Sequence, residues 1–188
     1  MVGSISKSCP LIERLVFESS KAGRDCCFRL HSCYDLLSNC PNISSLALRG
    51  FQLLDSEARM LVEGFHKLKH VDFSTSYALT GSLLKNHGDN AVQDILEVLI
   101  LRDCMHLEEA EVVSFFSAVL AGDFTHLKHI DISNGKSSCS RRLIFFIPFK
   151  QLLEARPDLC VLANFPEECE GSTDAVDFGG DSHNYPVD

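Results

Sequence analysis

The sequence predicts an α/β solenoid: about six units of 25–32 residues, each a strand followed by a helix. Stacked units would form a curved parallel sheet with helices on its convex side. Three observations predict it. The segment Leu68-Lys69-His70-Val71-Asp72-Phe73-Ser74 nearly recurs as Leu127-Lys128-His129-Ile130-Asp131-Ile132-Ser133. Segments of the same kind, apolar at the first, fourth and sixth positions, start at residues 12, 43, 68, 96, 127 and 159. Seventeen of the eighteen template positions are apolar and only Asn164 fails, where chance at this composition gives roughly eight.

The strands come first in each unit. They read Ile12-Glu13-Arg14-Leu15-Val16-Phe17, Ile43-Ser44-Ser45-Leu46-Ala47-Leu48, the two near-identical copies, Leu96-Glu97-Val98-Leu99-Ile100-Leu101 between those copies, and a weaker Leu159-Cys160-Val161-Leu162-Ala163-Asn164. Leu46, Leu48, Val71, Phe73, Leu99, Leu101, Ile130 and Ile132 are the expected inward residues. A turn follows at fixed offset, with Phe51, Ser76 or Cys104 pointing back beneath it, then Leu54-Asp55, Leu79-Thr80 or Leu107-Glu108 entering the next element. Cys9-Pro10 and Cys40-Pro41 precede two strands and close the helix before each, because proline cannot continue a helix.

The intervals predict helices. Residues 56–68 place Ala58, Leu61, Val62, Phe65 and Leu68 on one face, and residues 108–120 do the same with Val112, Phe115, Phe116, Val119 and Leu120. A shorter helix over 26–37 turns Leu30, Cys33, Tyr34 and Leu37 inward. Residues 81–95 are interrupted at Asn86-His87-Gly88-Asp89-Asn90, which predicts a turn, a loop and a helix from Asn90. Residues 141–155 carry the apolar stripe Leu143 to Ile147, read as core, and are helical at their end, broken or kinked at Pro148. No unit buries its own apolar side, so a core exists only by stacking. The first unit starts almost at Met1, leaving an exposed edge.

Charge divides the chain in two. Residues 166–188 hold seven acids and no Lys or Arg, which is −7 of the total −9 and leaves about −2 for the rest. That composition predicts a repeat domain over 1–165 and an acidic disordered tail over 166–188. Net acidity excludes nucleic acid and an anionic membrane as main partners. No apolar run approaches the ~18 residues needed to span a bilayer.

The chemistry-bearing residues give no site. Nine cysteines, an odd number without a C-x-x-C pair, predict reduced thiols in cytoplasm or nucleus, packed as small hydrophobes. Cys26, Cys27, His31, Cys33 and Cys40 are ligand types at a spacing that fits no common tetrahedral site. His66 and His70, and His126 and His129, straddle a helix-to-strand change, so helical facing does not bring them together. Asp72 and Asp131 occupy equivalent repeat positions, not a catalytic pair. There is no G-x-S-x-G, P-loop or G-x-G-x-x-G. No enzyme activity, cofactor or metal is expected.

The pattern L-x-x-L-x-L with its Cys-Pro start, Cys104 turn and Leu-acid helix entry resembles a leucine-rich repeat array of the cysteine-containing type found in F-box proteins. Over about residues 9–165 it is similar to plant F-box/leucine-rich-repeat proteins classed as Skp-interacting partners. The resemblance implies that the repeats present substrate to a Skp–cullin–F-box ubiquitin ligase, while an F-box docks the Skp adaptor. An F-box lies upstream of the repeats, and only eight residues precede Cys9, so Skp docking is expected only of a longer product. A free-standing regulatory or structural repeat protein with no ligase link is the alternative.

Strand alternation then predicts where a protein partner binds. The concave face carries Ser45, Ala47 and Arg49, then His70, Asp72 and Ser74, then Val98, Ile100 and Arg102, then His129, Asp131 and Ser133. Val98 and Ile100 are apolar anchors near its middle, beside the arginine type enriched at interfaces. Ile100→Asp and Arg102→Glu are expected to abolish capture without unfolding the chain.

Overall fold

The structure, a computed structural model, describes residues 2–19, 28–85, 95–135 and 147–164. Helix α1 (Val2–Ser8) leads into β1 (Arg14–Glu18). Then follow α2 (Leu30–Asn39), β2 (Ser45–Arg49), α3 (Asp55–Gly64), β3 (His70–Asp72) and a single 3₁₀ turn (Ser82–Leu84). The chain continues through β4 (Val98–Ile100), α4 (Glu109–Ala121), β5 (His129–Asp131), α5 (Phe149–Ala155) and β6 (Cys160–Leu162). The six strands form one all-parallel sheet in the order β1-β2-β3-β4-β5-β6. Parallel neighbours need a crossover, and the regular spacing of 25 to 32 residues in the sequence supplies one between each pair.

One core lies between the sheet and the helices. All eight expected inward strand residues are at most 2% exposed, and Ala58, Leu61, Val62, Phe65, Leu68, Val112, Phe115, Phe116 and Val119 are buried against them. Phe115 stands edge-on to Phe116 and Phe124, with ring centroids 5.2 and 5.0 Å apart, the geometry aromatic quadrupoles favour. Cys33, Cys40 and Cys104 are buried; burial pushes the Cys33 and Cys104 thiols up to about 12, so they pack as neutral groups. No described helix is long and apolar enough to cross a membrane.

Three expectations need correction. In α2 the inward residues are Cys33 and Leu36, while Leu30 and Tyr34 are exposed. The helix starts at Leu30, and Phe28 fills the core ahead of it. After β2 the buried leucine is Leu53, whose N–H faces the Ser76 hydroxyl at 3.3 Å; Leu54 is exposed. Phe51 is half-buried, edge-on to Phe28, and takes the place of a short turn residue. In β6 the partners of Ile130 and Asp131 are Val161 and Leu162. The inward pair is therefore Val161 and Ala163, one residue earlier than the template puts it, which is why Asn164 failed the pattern. The expectations for residues 26–27, for the loop and helix in 86–94, for the stripe at 143–146 and for the acidic segment 166–188 lie outside the described residues.

The turns after successive strands are built alike. Gly50, Thr75 and Asp103 each sit two residues beyond the inward residue that closes β2, β3 and β4, and all have left-handed φ, +75°, +59° and +57°. Each N–H continues the ladder: Gly50 donates to Ser74 O, Thr75 to Arg102 O and Asp103 to Ser133 O, at 2.7–2.9 Å. Beneath the turn, Cys104 Sγ lies 3.4 Å from Phe73 O. Asp55, the acid after Leu54, reaches one unit on. Its two oxygens accept from the N–H groups of Thr80, Gly81 and Leu83 and from the Thr80 hydroxyl. A Cβ at Gly50 would stand 2.9 Å from Ser19 O, a backbone atom. Gly50→Ala is therefore expected to cost about 1–3 kcal/mol, from left-handed strain and this contact together. A lowered denaturant midpoint at constant slope is the measurement.

Candidate interaction surface

Because side chains alternate along a strand, the residues that do not enter the core line the opposite, open face in three rows. The strand register aligns Arg14, Ser45, His70, Val98, His129 and Cys160 in the first. It aligns Val16, Ala47, Asp72, Ile100, Asp131 and Leu162 in the second. Glu18 and Arg49 start the third, and the ladder beyond the strands carries it on through Ser74, Arg102, Ser133 and Asn164. All twelve residues expected on this face fall in these rows.

They are not equivalent. Asp131 is fully buried: Oδ1 accepts from the N–H and hydroxyl of Ser133, and Oδ2 from Nε and Nη2 of Arg102 on the preceding strand's end. Asp72 repeats the arrangement, with Ser74 on Oδ1 and Arg49 Nε on Oδ2 at 2.7 Å. Burial opposes ionisation of Asp131, but the hydrogen bonds from Ser133 and Arg102 outweigh it and hold the carboxyl below the usual carboxylate range. So His-x-Asp-x-Ser strands (β3, β5) alternate with strands that end in arginine (β2, β4). Each arginine reaches diagonally to the aspartate of the next strand.

This pairing changes the expected contact surface. Asp72 and Asp131 are covered, and Ala47 is 6% exposed, because the arginines lean across them and alanine is too short to rise above its neighbours. Arg102 is half-exposed yet tied to a buried carboxylate, so Arg102→Glu is expected to disturb folding. Ile100 lies between Asp72 and Asp131 on adjacent strands; an aspartate there would be flanked by both. Val98 and Ile100 are half-buried, and His70 is exposed. Val16, 60% exposed on β1, belongs to the row of Ile100 and was missed, although Leu15-Val16-Phe17 shows the same alternation. Leu162 was missed through the register slip in β6. Among the described residues no three of His, Cys, Asp and Glu gather to hold a metal ion.

No family model matches the chain. Comparison with curated proteins gives F-box protein SKIP17 of Arabidopsis thaliana, 34% identical over 184 residues, which is 91% of this chain and 37% of that protein. The chain is thus homologous to a protein named as an F-box protein. A second, F-box protein At4g02760 of the same plant, is 38% identical over 133 residues, 71% of this chain and 26% of its own length. The chain thus spans about a third of the length of the F-box proteins it matches. Among the described residues the open face is the feature that the strand register organises.

Proposed function

We propose that the chain is a non-enzymatic protein-interaction module: a leucine-rich repeat solenoid whose concave face receives a protein substrate for a Skp–cullin–F-box ubiquitin ligase. The Skp adaptor is engaged through an F-box where a longer product carries one. The observation that carries this reading is the match over 91% of the chain to a protein named for its F-box, joined to a sheet whose strands follow chain order. Among the described residues the side chains that do not enter the core share one sheet face, and in repeat proteins such a face is where partners bind. Val98 and Ile100 supply its apolar centre and anchored arginines its polar rim.

Affinity capture from plant extract tests it, with Val98→Gln and Ile100→Gln combined in place of charge changes that would disturb the Arg–Asp pairs. A product extended to include an F-box is expected to recover Skp and cullin together with a further protein that the double variant loses. Recovery of that protein without Skp or cullin from the extended product would favour the free-standing regulatory repeat protein. Equal recovery by the double variant would exclude the concave face.

A further inference from the structure

The repeated histidine–lysine segments serve neither the core nor the Arg–Asp pairs, and the structure gives them one address. Lys69 donates its N–H to Ser44 O, Glu97 to Lys69 O and Lys128 to Glu97 O, each at 2.8 Å. These residues are consecutive rungs at the edge where β3, β4 and β5 begin, spaced by ~5 Å. Within the three adjacent segments 66–70, 95–98 and 125–129 stand Lys67, Lys69 and Lys128 with four histidines, against the single carboxylate Glu97. His66, Lys67, Lys69, His70, His126 and Lys128 are all exposed.

Glu97 is already spent. Its two oxygens take Lys69 Nζ at 2.9 Å and Lys128 Nζ at 3.1 Å. Those two lysines hold its carboxyl down to about 2. Lys67 Nζ is held outward by Asn42 Oδ1 at 2.7 Å. A cleft of about 430 Å³ opens beside it, lined by Glu13, Asn42, Ser44, His66, Lys67, Lys69 and Ile95. Among the described residues Glu13 there and Asp158 near Lys128 are flanking carboxylates, and Asp158 is paired with Arg156.

We propose that this edge is a second interaction surface, adjoining the open face at His70 and His129 but centred on Lys67, Lys69 and Lys128, and that it takes an acidic segment of a protein partner. The edge keeps net positive charge on a chain of net charge −9, so it acts by local attraction. Nucleic acid fits less well. Three lysines on two of the three rungs track only a short stretch of backbone, and segments 66–70, 95–98 and 125–129 hold no Phe, Tyr or Trp on which bases could stack.

The test is fluorescence anisotropy of a labelled oligoglutamate on the full chain, with an oligothymidylate of equal charge measured in parallel. Oligoglutamate is expected to bind and to weaken steeply between about 50 and 200 mM salt, as screening shortens the reach of exposed charges. Lys67→Glu combined with Lys128→Gln is expected to lose about tenfold in affinity, the sum of a few exposed charge contacts. Should that pair fail to keep the thermal midpoint of the parent, Lys67→Gln alone is measured and a loss of about threefold is expected. Absence of oligoglutamate binding at the lower salt, unchanged affinity in the lysine variants, or tighter binding of the oligothymidylate would overturn the proposal. None of these outcomes bears on capture by Val98 and Ile100.

Discussion

Leu99→Ala is expected to lower the unfolding free energy by about 2–5 kcal/mol. Leu99 is the central residue of β4, 1% exposed, and its strand neighbours are Val71 on one side and Ile130 on the other. Truncation loses the transfer energy of the removed methyl groups. It also leaves a cavity that the fixed strand spacing cannot close, so the cost lies above that of solvation alone. A single domain has about 5–15 kcal/mol in total, so the midpoint in urea should fall by a large fraction. Because each unit rests on its neighbours, the loss in the middle of the sheet should appear in one cooperative transition. A shift below about 0.5 kcal/mol, the range of exposed substitutions, would contradict the burial of this row.

Arg102→Glu is expected to cost about 3–5 kcal/mol, the range for breaking a buried pair from one side. The guanidinium is half-exposed, but Asp131 is fully buried. The substitution would replace two donated hydrogen bonds with a second carboxylate beside the first. The pH dependence has a definite sign. In the parent, the Asp131 carboxyl lies below its ordinary value of ~3.9. Its stabilising contribution is complete above that value and is lost as pH falls through the lowered native one. In the variant, the two carboxylates raise each other, so the native state takes up a proton first and stability should rise as pH falls from 7 toward 5. Urea midpoints at a series of pH values distinguish the two; parallel profiles would mean that Arg102 does not govern Asp131.

The sheet was legible because its signal is redundant. Six strands repeat one apolar template, and an error in any one, such as Leu162 for Val161, leaves the other registers intact. Helix faces with five apolar positions, as in α3 and α4, were read correctly for the same reason. The α2 face was not, because a ten-residue helix offers few turns and Phe28, outside it, fills the core. The open-face rows followed from alternation alone. Their chemistry did not: Asp72 and Asp131 looked like exposed contacts because nothing in a strand pattern reports a diagonal partner on the next strand. The recurrence of His-x-Asp-x-Ser with arginine ending the strand before it was visible, and it reads as a pairing rule once the strands lie side by side. The basic edge was visible as histidines and lysines but not as a surface, since it assembles from three segments about thirty residues apart.

The diagonal arginine–aspartate bond also sets the step in which such a chain can change length. A strand ending in arginine needs an aspartate-bearing strand as its next neighbour, and the order β2, β3, β4, β5 satisfies this twice. Losing the unit of β3 alone would set Arg49 beside Ile100, with only Glu18 of the preceding strand, 3.9 Å away, left to its guanidinium. Losing β3 and β4 together would set Arg49 beside Asp131, an acceptor of the same kind with its own serine in place. Insertion obeys the same parity. Gain or loss of units in this part of the sheet is therefore tolerated in twos, and the heritable module is a strand pair of nearly sixty residues, twice the length that the apolar pattern marks out.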